Sequence, residues 1–346
     1  MLKIVHRYLG LVLSIILLLV SLTGTLLLWK KEFLWLDFAD ARQTIDRSLL
    51  AGAINNIESN HPDGDVVFVQ LFSEGLSLHK VFLTGRRYAW HNQHGQLLEI
   101  WSGNGRFEDW LLDLHHRFLL GNNVGLQIAG FSGLLLMPLL AIGLIIWWSR
   151  RKSIRLGLLP KTLTRPALLR SHGNIGAVFV LPIFILALTG VILIYPSQSR
   201  LVLVDGFGQV KPAIIELDKF DATKGLPSWQ CAINTVYKHF PKSEIRSVTP
   251  NSSKESALLA KQSLTISFQQ TGSMERLGRS SIKFQGDGQL VIRDEFQQPL
   301  HNRVFDFSYP LHTAKLGLLY KLLLTVIGLG FVLLCLFGFT SYVKRH

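Results

Sequence analysis

Four long apolar runs punctuate this chain: Leu9 to Trp29, Ile128 to Trp148, Ile175 to Tyr195 and Leu322 to Phe339. An apolar run of about 18 residues is long enough to cross a bilayer as a helix. In lipid each backbone group must bond inside its own segment, so the four runs predict transmembrane helices. Gly24, Gly133, Gly190, Gly328 and Gly330 fall inside them, where small residues let helices approach closely. The first run follows Lys3, His6 and Arg7, as a signal peptide would. It ends in Leu-Leu-Leu-Trp-Lys-Lys rather than at a small-residue cleavage site, so an uncleaved helix is expected.

Between the spans the pattern changes. A helical stretch at Ala41 to Ser59 precedes alternating runs at Asp65 to Phe72, Ser77 to Leu83 and Arg87 to His91, with a turn at residues 92–96. The order recurs later: a helix near Ser228 to His239, then strands near Ile245 to Val248, Ser263 to Gln269, Ser281 to Gln285 and Leu290 to Arg293. Helix followed by meander suggests one small α+β module in each segment. The expected fold is a membrane α-helical protein of four transmembrane helices, built as two like-oriented halves, with two small α+β modules. The expected boundaries are helix 1 at 1–29, module 1 at 30–126, helix 2 at 127–149 and a basic loop at 150–171. Helix 3 follows at 172–195, module 2 at 196–310, and helix 4 with its tail at 311–346.

Charge sets the orientation. The formal net charge is +13, yet all 23 acidic residues lie between the first and second spans or between the third and fourth. The short loop between spans two and three carries Arg150, Arg151, Lys152, Arg155, Lys161, Arg165 and Arg170 and no acid, which marks it as cytoplasmic. Lys344 and Arg345 agree; Lys30 and Lys31 pull mildly the other way. Both modules then face outward, toward the periplasm if the membrane is a bacterial inner membrane. The excess charge is a membrane flank, and with no basic-aromatic stripe it does not suggest a nucleic-acid partner. Cys231 and Cys335 form no CxxC or CxxCH motif, which argues against zinc ribbons and covalent c-type haem.

An internal repeat supplies the candidate chemistry. His6-Arg-Tyr-Leu-Gly10 opens span one, and His172-Gly-Asn-Ile-Gly176 opens span three, 166 positions later. Thr23-Gly24 and Thr189-Gly190 recur at the same offset. Leu114-His115 and Leu311-His312 stand before spans two and four. His6 and His172 should therefore share the cytoplasmic end, and His115 (or its neighbour His116) and His312 the outward end. Two imidazoles from different helices at one depth can fill both axial positions of a haem iron in a four-helix cage. Preservation for packing alone is the competing reading. A straight helix from His312 to Leu322 would also lift that histidine by about 15 Å, placing the outer pair at or above the interface. Arg117 is a candidate partner for a haem propionate, or a solvated surface residue. His79, His91 and His94 are expected in surface or turn roles, and His61 and His239 near helix ends. His301 and Asn302 could line an outer pocket.

The segments HRYLGLVLSIILLLVSLTG, LHHRFLLG, HGNIGAVFVLPIFILALTG and YPLHTAKLG resemble the PepSY-associated transmembrane family, in the family's order and across all four spans. The resemblance implies inner-membrane proteins with PepSY-like outward modules, some of them ferric-siderophore reductases carrying b-type haem. By position it implies His6, His172, His115 and His312 as axial ligands of haem b, two groups if both pairs are filled, with His115 or His116 as the outer ligand. The expected activity is electron transfer from a quinol or a cytoplasmic reductase to a ferric chelate such as a ferric siderophore. No nicotinamide or flavin fingerprint is visible, so the donor would be external. A binding or regulatory PepSY membrane protein without redox chemistry is the alternative. A transporter is weaker, because the spans hold no acid or arginine to carry a substrate.

Overall fold

The computed structural model describes residues 1–71, 75–151, 157–207, 214–217, 220, 225–250, 262–273 and 279–344. Lys152, Arg155 and Arg345 of the basic flanks lie outside the described residues. In chain order the main elements are α1 (Leu2–Leu27), α2 (Lys30–Asp37), α3 (Leu50–Asn60), β1 (Val66–Leu71), β2 (Leu78–Leu83), β3 (Arg87–Asn92), β4 (Leu97–Ser102), α4 (Phe107–Arg117) and α5 (Gly121–Trp148). They continue with α6 (Arg165–Ile194), α7 (Pro196–Leu203), β5 (Ile214–Leu217), α8 (Trp229–His239), β6 (Glu244–Thr249), β7 (Ser263–Gln269), β8 (Ser280–Gln285), β9 (Leu290–Arg293), α9 (Leu300–His312) and α10 (Leu318–Val343). The chain divides into a helical unit (Met1–Lys30, Phe107–Asp205, Ser308–His346) and a sheet-bearing unit (Lys31–Arg106, Gly206–Phe307).

In the helical unit α1, α5, α6 and α10 are long and apolar enough to cross a membrane. Each is 26 to 30 residues long, so each exceeds the hydrocarbon thickness, and their outer turns carry the polar residues of the flanks. Helices α5 and α10 each pack against both α1 and α6, which leaves α1 and α6 diagonal to one another. Leu13, Leu17, Leu136, Leu140, Ile175, Ile183, Ile327 and Leu334 fill the shared core. Polar bonds tie the helices where packing alone would let them slide: Ser21 Oγ donates to the Gly328 carbonyl at 3.0 Å, and Trp29 Nε1 to Thr325 Oγ1 at 3.1 Å.

Two short helices precede α5 and α10, and neither runs straight into its span. After α4 the backbone turns through left-handed Phe118 (φ 51°), Leu119 (φ 60°) and Gly121 (φ 78°). After α9 it turns through Ala314 (φ 55°) and Gly317 (φ 114°), and Tyr320 Oη donates to the Leu311 carbonyl at 2.8 Å across the break. A left-handed non-glycine residue costs roughly 1–2 kcal/mol, so surrounding contacts must hold these turns in place. Gly125 shows how tight the first fold-back is: a Cβ there would stand 1.7 Å from the Arg117 carbonyl oxygen.

The sheet-bearing unit contains one antiparallel sheet of nine strands in the order β4-β3-β2-β1-β6-β7-β8-β9-β5. Each chain segment supplies a helix and a meander, as the alternation predicts. The two meanders are continuous, however, because β1 pairs with β6 (Val69 opposite Val248, Gln70 opposite Ser247). Pairing satisfies two strand edges that separate modules would leave open. Helices α3 and α8 share a core with the sheet made of Ile54, Ile57, Trp229, Val236, Phe268 and Phe284. Helix α3 starts at Leu50 rather than near Ala41. Short 3-10 turns occupy Ala39–Ala41 and Arg47–Leu49, and Asp46 caps the second by accepting from the Ser48 amide.

Candidate functional site

Position 6 places a histidine one turn into α1, and position 172 places one two turns into α6. Because α1 and α6 are diagonal, their side chains at one depth meet across the bundle axis. The His6 and His172 rings do so, with centroids 6.1 Å apart. At the other end α4 and α9 bring His115 and His312 together with centroids 6.3 Å apart. With a metal–nitrogen bond of about 2 Å and roughly 1.1 Å from nitrogen to ring centre, two imidazoles trans on one metal stand about 6.3 Å apart. Both pairs have that spacing, and both donor sets are wholly nitrogen, as bis-histidine haem requires.

The fold-backs before α5 and α10 remove the depth problem posed by a straight helix. His115 turns onto α1, where its Nδ1 lies 3.0 Å from Thr23 Oγ1 and 3.0 Å from the Val20 carbonyl. His312 turns onto α6, with Nδ1 3.1 Å from Thr189 Oγ1. The outer pair therefore sits level with residues inside α1 and α6, not beyond their ends. His6 and Val20 to Gly24 share one helix, and 14 to 18 residues at 1.5 Å each separate the two pairs by about 21–27 Å.

The hydrogen bonds also fix which ring nitrogen is available. Thr23 Oγ1 donates to the Leu19 carbonyl at 2.7 Å, so it can only accept from His115 Nδ1–H. Thr189 Oγ1 donates to the Ile185 carbonyl at 2.8 Å and accepts from His312 Nδ1–H in the same way. His172 Nδ1 faces the Leu334 carbonyl at 2.9 Å, which is an acceptor and nothing else. In these three rings Nδ1 carries the proton and Nε2 keeps the lone pair, the state in which imidazole ligates a metal. The His6 ring has its backbone contact with Leu139 on α5.

Glycines set how near the rings lie to the helices. A Cβ on Gly24 would come within 2.8 Å of His115 Cε1, and one on Gly190 within 3.1 Å of His312 Cε1. The same holds at the other end for Gly143 against His6 (2.9 Å) and Gly338 against His172 (3.0 Å). Each ring occupies space that any other residue on the facing helix would take. The sequence pointed to Gly24 and Gly190 through the repeated Thr-Gly. It gave no hint of Gly143 and Gly338, although both lie four residues beyond leucines (Leu139 and Leu334) at a shared offset.

The remaining candidates fall in different places. His116 tilts against His115 at 5.5 Å between centroids, and the ring opposite His312 is that of His115. Arg117 pairs with Asp113 at 2.6 Å, one helical turn back on α4. His94 is exposed in the β3–β4 turn, as expected. His79 and His91 are not surface residues: both are fully buried side by side on β2 and β3, and His61 at the end of α3 is buried with them. The alternation of β2 and β3 fails as a guide because both faces of that part of the sheet are covered. Burial pushes His79 down to about 4 and His91 to about 3, so both are neutral at ordinary pH. His301 and Asn302 belong to the sheet-bearing unit.

The family model for the PepSY-associated TM region matches residues 4–345. Comparison with curated proteins finds no match to the chain.

Proposed function

We propose, since this chain belongs to the PepSY-associated transmembrane family, that it is a haem b electron-transfer protein of the inner membrane that reduces a ferric chelate on the periplasmic side. The observation that carries the proposal is the pair of ring separations, 6.1 and 6.3 Å, at opposite ends of one four-helix bundle. His6 and His172 would hold the inner group, His172 through Nε2, and His115 and His312 the outer one through Nε2. A haem held there by two imidazoles would supply one-electron transfer rather than oxygen chemistry.

The chain's own groups do the positioning. The Thr23, Thr189 and Leu334 acceptors fix the tautomers and hold the rings against rotation. The four facing glycines keep the helix backbone clear of the imidazoles. Arg117, already paired with Asp113, is placed one or two residues from the outer ligand and can turn its guanidinium toward a propionate. The basic loop after α5 supports an inward placement of the His6–His172 end, and so an outward placement of the other. The internal repeat supports two like-oriented halves. The net reaction takes one electron per iron from a quinol or a cytoplasmic reductase and converts a ferric chelate to a ferrous one. Oxygen-rich chelators hold the softer ferrous ion less tightly, so reduction releases it.

The test is an absorption spectrum of the purified protein before and after dithionite. The expected result is a Soret band with sharp α and β bands on reduction, the α and β bands then disappearing as a ferric hydroxamate, added under argon after excess dithionite is removed, takes the electrons. His172→Ala and His6→Ala should lose the same fraction of haem, and His115→Ala and His312→Ala the other. Preparations with no Soret band would leave the binding or regulatory reading in its place.

A further inference from the structure

The sheet-bearing unit buries a second group of imidazoles that the proposed electron transfer does not use. His79 on β2 and His91 on β3 are direct cross-strand partners and are fully buried, and His61 closes α3 above them with only 8% exposure. Both ring nitrogens of His91 and Nε2 of His61 have no hydrogen-bond partner, and His79 has only a backbone contact with Gln93. Native proteins pair nearly all buried polar atoms, so three orphaned nitrogens in one place call for an explanation. The segment above them is clamped down: Asn56 Nδ2 donates to the His94 carbonyl at 2.8 Å, and Asn60 Nδ2 to the Gly95 carbonyl at 3.0 Å. A Cβ on Gly95 would lie 2.2 Å from the Ala53 carbonyl oxygen, so the turn is pressed onto α3.

We propose that His61, His79 and His91 form a binding site for a divalent transition-metal ion of borderline softness, such as zinc or copper(II). Three imidazoles and no thiolate suit that class of ion. Two ligands on one tetrahedral metal, with bonds of about 2 Å, put their ring centres about 5 Å apart. His61 and His91 stand at 5.4 Å. Among the described residues no three histidine, cysteine or carboxylate side chains already converge on one point, so His79 completes the set by turning its ring toward the other two. Asp65 supplies the outer support: its Oδ1 lies 3.8 Å from His61 Nδ1 and makes no hydrogen bond, while its other oxygen pairs with Arg87. A carboxylate behind a ligating imidazole fixes the ring and leaves Nε2 for the metal. This site is independent of the haem reading, since every residue in it belongs to the sheet-bearing unit.

The experiment uses the full-length protein in detergent, stripped with a chelator, dialysed against zinc chloride, and analysed for zinc per chain alongside haem iron. One zinc per chain is expected, with a rise in the unfolding temperature. X-ray absorption at the zinc edge should show a shell of nitrogen or oxygen at about 2.0 Å with imidazole outer scattering. His61→Gln should weaken zinc binding at least tenfold and leave the haem spectrum unchanged. His94→Gln, at an exposed histidine of the same segment, should bind as the natural chain does. His91→Gln should match His61→Gln if it folds; if it does not fold, His61→Gln decides the question. Absence of bound zinc, or equal binding in the natural chain and in His61→Gln, overturns the proposal. Equal weakening by His94→Gln overturns it too, because it would mark adventitious surface binding.

Discussion

Replacing Gly24 by alanine tests the ring placement with a single methyl group. The added Cβ would lie 2.8 Å from His115 Cε1, whereas carbon atoms pack at about 3.5–4.0 Å. The ring must therefore retreat by roughly 0.7 Å or more. Its two Nδ1 contacts, to Thr23 Oγ1 and the Val20 carbonyl, are both 3.0 Å and would stretch to about 3.7 Å, beyond hydrogen-bond length. Metal–ligand distances tolerate only about ±0.2 Å, so a displacement three times larger would break the proposed bond from His115 to the outer haem. Loss of the supporting hydrogen bonds alone is worth about 10–100-fold in affinity, and loss of the ligand is worth more. Alanine is also the better helix former, by about 1 kcal/mol, so α1 itself should not be weakened. The expected outcome is half the haem of the natural chain, with the spectrum of the inner group intact. Gly143→Ala should produce the complementary loss, because its Cβ meets His6 at 2.9 Å. Gly10→Ala is the control: its Cβ meets Leu139 Cδ1 at an ordinary 3.9 Å and should change nothing. Haem per chain by pyridine haemochrome is the assay. Full haem content and unshifted α bands in Gly24→Ala would show that the His115 ring does not lie against Gly24.

Further outcomes follow from the same contacts. Thr23→Val removes one of the two acceptors of His115 Nδ1, leaving the Val20 carbonyl, and Thr189→Val removes the Thr189 acceptor of His312 Nδ1. Each should weaken the proposed outer haem by up to about 10–100-fold and shift its midpoint potential while the inner one stays; unchanged redox titrations would count against the tautomer assignment. Cys231 is exposed on α8 and Cys335 is buried in the bundle, so an impermeant maleimide should label spheroplasts at Cys231 alone; labelling only in inverted vesicles would reverse the topology. Glu58 accepts from Trp229 Nε1 at 2.9 Å, and burial raises its pKa above the ordinary carboxyl value. The folded chain then binds this proton more tightly than the unfolded chain, so stability falls as pH rises from the ordinary carboxyl value to the raised one. Glu58→Gln keeps the acceptor and should flatten that slope and stabilise the sheet-bearing unit at neutral pH, read by urea unfolding at pH 5 and 7.5; a variant weaker at both values would contradict the sign.

What the sequence disclosed depended on whether the signal was local or relational. Spans as long and apolar as α1 or α6 declare themselves through composition alone, because lipid forces the helix. The strands at Ser263–Gln269 and Leu290–Arg293 were legible to the residue, since one face is buried and the other is not. Pairing of β1 with β6 was not legible, because which edge meets which depends on both segments being folded. The burial of His79 and His91 is not legible for a related reason. Strand β2 is buried on both faces, so the alternation that normally separates core from surface carries no information there. The turns at Phe118, Leu119 and Ala314 have no sequence signature, since left-handed backbone is normally announced by glycine or asparagine and these residues are neither.

Those turns nevertheless decide whether the outer site can exist. A continuous helix through residues 107–148 would carry His115 about 9 Å beyond Gly121, away from α1. With the chain broken after Arg117, α4 instead lies against both α1 and α5, and the imidazole reaches Val20, Thr23 and Gly24. The break after His312 does the same on the opposite side of the bundle. Backbone strain of about 1–2 kcal/mol at each left-handed residue is offset only if packing holds the folded-back helix, and Gly125 against the Arg117 carbonyl is where that packing is closest. The outer pair thus depends on a few backbone angles, on Gly125 in the fold-back, and on Gly24 and Gly190 facing the rings. The inner pair needs no fold-back: its histidines stand within α1 and α6 themselves, and Gly143 and Gly338 leave room for their rings.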